Sequence, residues 1–282
     1  MGIPLVSIGL PIFNSKKKII RVLFNILNQS YKKVEIIITD NSKDKDTLKI
    51  IRKKFKTNKI KYFKNNMNFG LIYNHNKALK KAKGKYFMWI HDVDKISKNY
   101  IKECVKILEQ DSSKIASMGK IIYIKKNKIQ CNYNEPNFDE SCLFKRLKKF
   151  LLADYPDTII SALFRRNKGK ELKKIMSPEG ICTLNLVING KISGISKVRY
   201  IKGNDSDRTI NQMKENYHGD QLFLNTSIFR RYGNYYYTLN ELSKAKIKTY
   251  KKFILYAIYI IFNFPILRFF FKKPYNYYNN KN

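Results

Sequence analysis

The chain has 282 residues, room for one large domain or two small ones. With 44% hydrophobic, 14% aromatic and 28% charged residues, it is neither disordered nor collagen-like. Lys and Arg number 57 against 21 acids, a formal charge of +36, which excludes an electrostatically indifferent surface and favours anionic partners such as nucleotides, nucleic acid or acidic lipid.

The first hundred residues alternate strand and helix signals. Leu5 to Leu10 is a short apolar run stopped by Pro11, and Lys18 to Leu27 carries apolar residues at helical spacing. Val34 to Thr39 is β-branched and reads as a buried strand ended by Asp40, Asn41 and Ser42. A helix over Thr47 to Phe55, a strand over Ile60 to Phe63 and a helix over Ile72 to Ala82 follow. Next come a strand over Tyr86 to Ile90 and a helix over Ile96 to Leu108. Beyond that the pattern weakens: strands are expected at Ile121 to Ile124 and Ile159 to Phe164, a helix at Gly180 to Ile188, and a polar loop from Lys202 to Asn216.

Strands alternating with helices predict an α/β fold, with right-handed crossovers and a mostly parallel central sheet flanked by helices. In such sheets ligands bind beyond the carboxyl ends of the strands. The segments to inspect are therefore Pro11 to Asn14, Asp40 to Asp44 and His91 to Asp94. Asp92 and Asp94 follow a buried strand one residue apart, where two carboxylates can converge on a hard cation such as Mg2+ or Mn2+; a solvated turn is the alternative. Asp40 suits a ribose or base edge, or a turn. Asn76, near a helix start, suits a ligand or a cap. No Gly-rich phosphate loop follows the first strand, which argues against dinucleotide and P-loop folds. His75, His91 and His218 are separated and form no metal set; Trp89 suits the core. Cys104, Cys131, Cys142 and Cys182 lie far apart without a CxxC pair and read as reduced thiols. The start, MGIPLVSIGLP, lacks the pattern of a secretory signal.

These segments coincide with a known pattern. VSIGLPIFN, NILNQSYKKVEIIITDNSKDKDT and NFGLIYNHNKALKKAKGKYFMWIHDVD, spanning about residues 5 to 105, resemble the N-terminal half of family 2 glycosyltransferases. The resemblance implies a GT-A fold and an inverting, metal-assisted transfer from a nucleotide-diphosphate sugar to a glycan or lipid-linked acceptor, as in surface-polysaccharide biosynthesis. It divides the chain into a nucleotide-sugar half (1–110), an acceptor half (111–244) and a C-terminal helical tail (245–282). By the same resemblance Pro11, Phe13, Asn14 and Asp40 line the nucleotide pocket, and Asp92 and Asp94 hold Mn2+ or Mg2+ on the donor diphosphate. Many relatives have a further Asp where this chain has Lys95, a residue placed to contact a phosphate. Family members place the catalytic base ahead of a helix ending in Gly-Lys. Here that makes Glu179 the first candidate, with a helix cap as the alternative reading; Asp220, in His-Gly-Asp-Gln, is the second and Asp157 the third. Intact Asp40, Asp92 and Asp94 argue against an inactive scaffold. No zinc finger, RNP motif or helix-turn-helix supports a nucleic-acid-binding protein.

The tail changes character. Lys246 to Lys252 is basic and Phe253 to Phe271 almost wholly apolar, interrupted by Asn263, Pro265 and Arg268. As a helix the apolar run would be about 28 Å long, near the thickness of a hydrocarbon core. Pro265 and Arg268 favour a helix lying in the interface over one that spans. Eight basic residues and no acid from Ala245 onward suit an anionic leaflet, so the expected place is peripheral, at the cytoplasmic face of the membrane.

Overall fold

A computed structural model describes residues 2–16, 18–125, 128–154, 157–169, 178–203, 238–263 and 275–276. Four β/α steps open the chain. Strands β1 (Val6–Ile12), β2 (Val34–Asp40), β3 (Ile60–Lys64) and β4 (Tyr86–Trp89) alternate with helices α1 (Lys18–Leu27), α2 (Asp46–Lys54) and α3 (Leu71–Lys81). All four strands pair in parallel, in the order β3-β2-β1-β4. β1, β2 and β4 are buried along their whole length, which is why they read as unbroken apolar runs rather than alternating ones. α1 buries Ile19, Val22, Leu23 and Ile26, one stripe at helical spacing.

The second half extends the same sheet. After β5 (Lys95–Ile96) and α4 (Tyr100–Gln110) come β6 (Lys114–Lys125), β7 (Lys128–Tyr133) and α5 (Leu143–Leu152). Then follow β8 (Ala153–Asp154), a 3-10 turn (Asp157–Ser161), β9 (Leu163–Arg165), α6 (Pro178–Asn189), β10 (Lys191–Gly203), helix α7 (Thr249–Asn263) and β11 (Tyr275–Asn276). β8 and β11 form a separate two-stranded ribbon. The main sheet continues β4-β9-β6-β10-β5, with β7 paired to β6. β10 runs parallel to β6, whereas β9 is antiparallel to β4 and β6, and β5 is antiparallel to β10. The sheet is thus parallel in its first half and mixed in its second.

Several expected boundaries are corrected. β1 does not stop at Pro11 but runs on to Ile12. Pro11 shares its direction along the strand with Gly9, whose carbonyl accepts the Ile90 amide on the β4 side; β4 has ended at Trp89, so no partner there misses the absent N–H. The fourth helix begins at Tyr100 rather than Ile96. Ile96 pairs with Tyr200 instead, and the Asn25 side chain bonds both its amide and its carbonyl at 2.9 Å. The strand expected over Ile159 to Phe164 is a 3-10 turn followed by β9. The strand expected at Ile121 to Ile124 is the end of the much longer β6. α5, β7 and β10 carry no element in the sequence reading; Lys202 and Gly203, expected in a loop, close β10.

Candidate active site

The carboxyl ends of β1 to β4 converge on one polar cluster. Asp40 is the last residue of β2 and fully buried. Its Oδ1 accepts the Ser42 amide at 2.7 Å and the Ser42 hydroxyl, and its Oδ2 accepts the Tyr62 hydroxyl from β3. Ser42 Oγ in turn accepts the Asn14 amide at 2.8 Å, holding Asn14 in a left-handed conformation (φ 54°) just past β1. Asp40 therefore fixes the loops that would surround a ligand. Burial, and then the Asp40 carboxylate, push the Tyr62 phenol well above its ordinary pKa, so it stays a donor.

Asparagines brace the floor. Asn74 on α3 donates to the Ile12 carbonyl at 3.1 Å, and Asn65 donates to Asn41 Oδ1 at 2.6 Å and Asn74 Oδ1 at 3.2 Å. The Asn41 amide group reaches the Gly70 carbonyl at 2.9 Å, and Lys77 caps Asn65. Three buried amides thus tie together the ends of β1, β2 and β3. Asn76 is not at the helix start: Gly70 (φ 86°) is the N-cap, so Asn76 lies in the second turn of α3, half-buried. Pro11 is buried, Phe13 half-buried and Asn14 exposed.

Asp92 and Asp94 share the turn after β4 but differ in surroundings. Asp92, 6% exposed, accepts the Ser15 hydroxyl on Oδ2. Asp94 is fully buried. Its Oδ2 accepts the Tyr200 hydroxyl at 2.6 Å, the His91 amide at 3.3 Å and the Lys202 ammonium at 3.4 Å; His91 Nδ1 lies 3.0 Å away. Its Oδ1 accepts the Gly203 amide at 3.2 Å. Burial pushes the Asp94 carboxyl up, but the Lys202 charge, His91 and Tyr200 outweigh it and hold it at about 2. Among the described residues no three His, Cys, Asp or Glu side chains cluster as a metal site. A carboxylate is the kind of oxygen ligand that a hard cation takes, and Asp92 is the residue that would hold one. Asp94 already has donors on both oxygens.

His75 and His91, distant in sequence, meet with Nε2 atoms 3.1 Å apart. The Leu71 carbonyl, 2.9 Å from His75 Nδ1, can only accept, so His75 Nδ1 carries the proton and Nε2 accepts from His91. Burial, reinforced by His91, pushes the His75 imidazole down to about 3. The chain His75–His91–Asp94–Lys202 links α3 to β10.

Glu179 lies in the first turn of α6, as its position before Gly-Lys implied, and Asp157 opens the 3-10 turn. Asp220 and His218 lie outside the described residues. Sequence reasoning missed Ser15, Tyr62, Tyr200 and Lys202. For Tyr200 and Lys202 a signal existed: buried Val198 and Tyr200 flank exposed Arg199, the alternation of a strand.

Comparisons with known proteins agree with this architecture. A family model described as Glycosyl transferase family 2 matches residues 7–171. The Escherichia coli protein UDP-Glc:alpha-D-GlcNAc-diphosphoundecaprenol beta-1,3-glucosyltransferase WfaP is 41% identical over 90 residues, covering 32% of this chain and 36% of WfaP. Chondroitin synthase of Escherichia coli is 27% identical over 143 residues, covering 50% of this chain and 21% of that protein. The matches thus span well under half of either relative. Staphylococcus aureus TarS 1–349 in complex with UDP-GlcNAc superposes with a TM-score of 0.70 at 18% identity, over 93% of this chain and 73% of TarS. The mannosyltransferase PcManGT from Pyrobaculum calidifontis, in complex with GDP-Man and Mn2+, gives 0.59 at 16% identity, over 94% and 73%. At these identities the likeness establishes the fold, an α/β arrangement matching GT-A glycosyltransferases.

Proposed function

The chain belongs to glycosyl transferase family 2, and from that premise we propose that it transfers a hexose, with inversion, from a nucleotide-diphosphate sugar to a glycan or lipid-linked acceptor. The observation that carries this reading is the cluster of buried Asp40 and Asp92, with Asn14 and Ser15, at the carboxyl ends of β1, β2 and β4. Support comes also from the bound UDP-GlcNAc of TarS and GDP-Man of PcManGT. The name of WfaP places its acceptor on diphosphoundecaprenol, a lipid carrier, and we extend that acceptor class to this chain.

In this reading Pro11, Phe13, Asn14 and Asn76 face the nucleoside, and Asp40 shapes their pocket by fixing Ser42 and the Asn14 loop. Asp92 would hold Mn2+ or Mg2+ beside the diphosphate, and Asp94 anchors the turn that carries Asp92. When bound, the cation would neutralise charge on the leaving diphosphate. The acceptor hydroxyl attacks the anomeric carbon, and the carbon–oxygen bond to the β-phosphate breaks with its electron pair going to the diphosphate. The acceptor proton passes to a single carboxylate, for which Glu179 is the first candidate and Asp220 the second. One displacement inverts the anomeric centre.

Helix α7 supports a peripheral place at the inner membrane face. Tyr250, Phe253, Ile254, Ala257 and Ile260 form one exposed stripe at helical spacing, with Phe253 64% exposed. Lys246 and Lys248 stand exposed just before it. An apolar stripe beside ammonium groups fits the interface of an anionic bilayer. Among the described residues no helix is long and apolar enough to cross a membrane.

Calorimetric titration with UDP, GDP and dTDP, with and without Mn2+, tests the donor site. Wild type should bind one of them more tightly with Mn2+, and Asp92→Asn should lose that Mn2+ dependence. A folded wild-type protein that binds none of the three would overturn the reading.

A further inference from the structure

Building on the donor site just described, the geometry points to Lys202 as a second, built-in cation for the donor diphosphate, held in place by Asp94. Nothing in the resemblance to relatives assigns this residue. The resemblance drew attention to Lys95, which is exposed and opens β5, whereas the lysine beside Asp94 is Lys202, at the end of β10.

Three observations converge. First, Lys202 Nζ lies 3.4 Å from Asp94 Oδ2 and 3.2 Å from His91 Nδ1, in the turn that presents Asp92 to the site. Second, Asp94 is fully buried whereas the Lys202 side chain is 26% exposed, so solvent reaches the lysine and not the carboxylate. An ammonium has three donor hydrogens, and a group facing it from the solvent side can take one without breaking the pair with Asp94. Third, the end of β10 locks the pair: the Gly203 amide donates to Asp94 Oδ1, the Tyr200 hydroxyl donates to Oδ2, and the carbonyl oxygen of Val93 lies 2.2 Å from where a Cβ on Gly203 would stand. The end of β10 is therefore clamped against the Asp92 turn, with its lysine fixed rather than free to swing.

Charge accounting favours the same assignment. Two bare carboxylates would repel a diphosphate. Lys202 neutralises Asp94, leaving one net negative charge on Asp92 for a divalent cation to overcompensate. With a divalent cation bound, Asp92, Asp94 and Lys202 together would present net positive charge to the diphosphate. As the bond from the anomeric carbon to the β-phosphate oxygen breaks, the electron pair stays on the diphosphate, and a fixed ammonium stabilises that charge without reorganising. Asp94 acts here as a positioning residue, Lys202 as a donor-binding one.

The test separates β-phosphate contact from a structural role. Affinities of UDP, GDP and dTDP, and of the matching monophosphates, are measured by calorimetry at saturating Mg2+ for wild type, Lys202→Met and Lys202→Arg. The proposal expects Lys202→Met to weaken the preferred diphosphate about 10- to 100-fold, the worth of one charge-assisted hydrogen bond, while its monophosphate loses less than about threefold. Lys202→Arg should recover part of the loss. Equal losses for diphosphate and monophosphate, or none for either, would overturn the Lys202 role while leaving the donor site standing. Wild-type protein that binds no nucleotide would overturn both. Should Lys202→Met fail to fold, Lys202→Arg decides alone: it keeps the charge but shifts its position, so its loss should again fall on the diphosphate only.

Discussion

Replacing His75 with Gln should flatten the acid limb of the stability curve. In the unfolded chain an imidazole takes up a proton near its usual value of about 6.5. In the fold His75 does so only at about 3, because it is buried and its Nε2 is the acceptor for His91. Between those values the unfolded chain holds one proton more than the folded one, so stability is complete above pH 6.5 and is lost as pH falls towards 3. Integrated from pH 7.5 to pH 5, the loss from this one group is about 2 kcal/mol, or roughly 5 °C in melting temperature for a chain of this size. Asp94, held at about 2, keeps its stabilising contribution until pH falls below about 4, so that window leaves it out. The assay is urea unfolding of wild type and His75→Gln at half-unit steps from pH 7.5 to 5. Wild type should lose about 2 kcal/mol more than the variant across the range. Parallel curves would refute the reasoning, since they would mean His75 is protonated equally in both states or not at all.

Two further outcomes are expected. Gly203→Ala places a Cβ 2.2 Å from the Val93 carbonyl oxygen and 2.9 Å from its carbon, backbone atoms that cannot yield cheaply. It should lower stability by about 1–3 kcal/mol and weaken nucleoside diphosphate binding, checked by melting and calorimetry; binding at wild-type strength would show that the β10 end does not set the Asp92 turn. Phe253→Ser with Ile254→Ser removes the centre of the exposed α7 stripe and should weaken binding to phosphatidylglycerol vesicles by about 10-fold or more. Sedimentation with vesicles reads this out. A wild-type protein that ignores anionic vesicles, or that self-associates through this face, would sink the membrane placement.

Most of the nucleotide half was legible in the residues. β1, β2 and β4 are buried along their whole length, so each appears as a local apolar run, and Asp40 at the end of β2 and Asp92 and Asp94 after β4 mark two of the strand ends without any knowledge of contacts. The second half was much less so. β6, β7, β9 and β10 form mixed pairings whose partners are distant in sequence: Tyr86 of β4 stands opposite Arg165 of β9, and Ser117 of β6 opposite Leu163. Ile96 looked helical because its apolar neighbours recur at helical spacing, but pairing with Tyr200 and two bonds from Asn25 decided for a strand.

By itself the sequence determined the α/β alternation of the first hundred residues, the positions of Asp40, Asp92 and Asp94, and the basic, apolar character of the tail, because each rests on neighbours within a few residues. Only the tertiary structure decided what those acids are bound to. That Asp40 holds a loop through Ser42, that Asp94 is locked by Lys202, Tyr200 and Gly203, and that His75 meets His91 all depend on groups brought together from separate strands and helices. A carboxylate's role is set by its donors and its burial, and neither is written in the residues beside it.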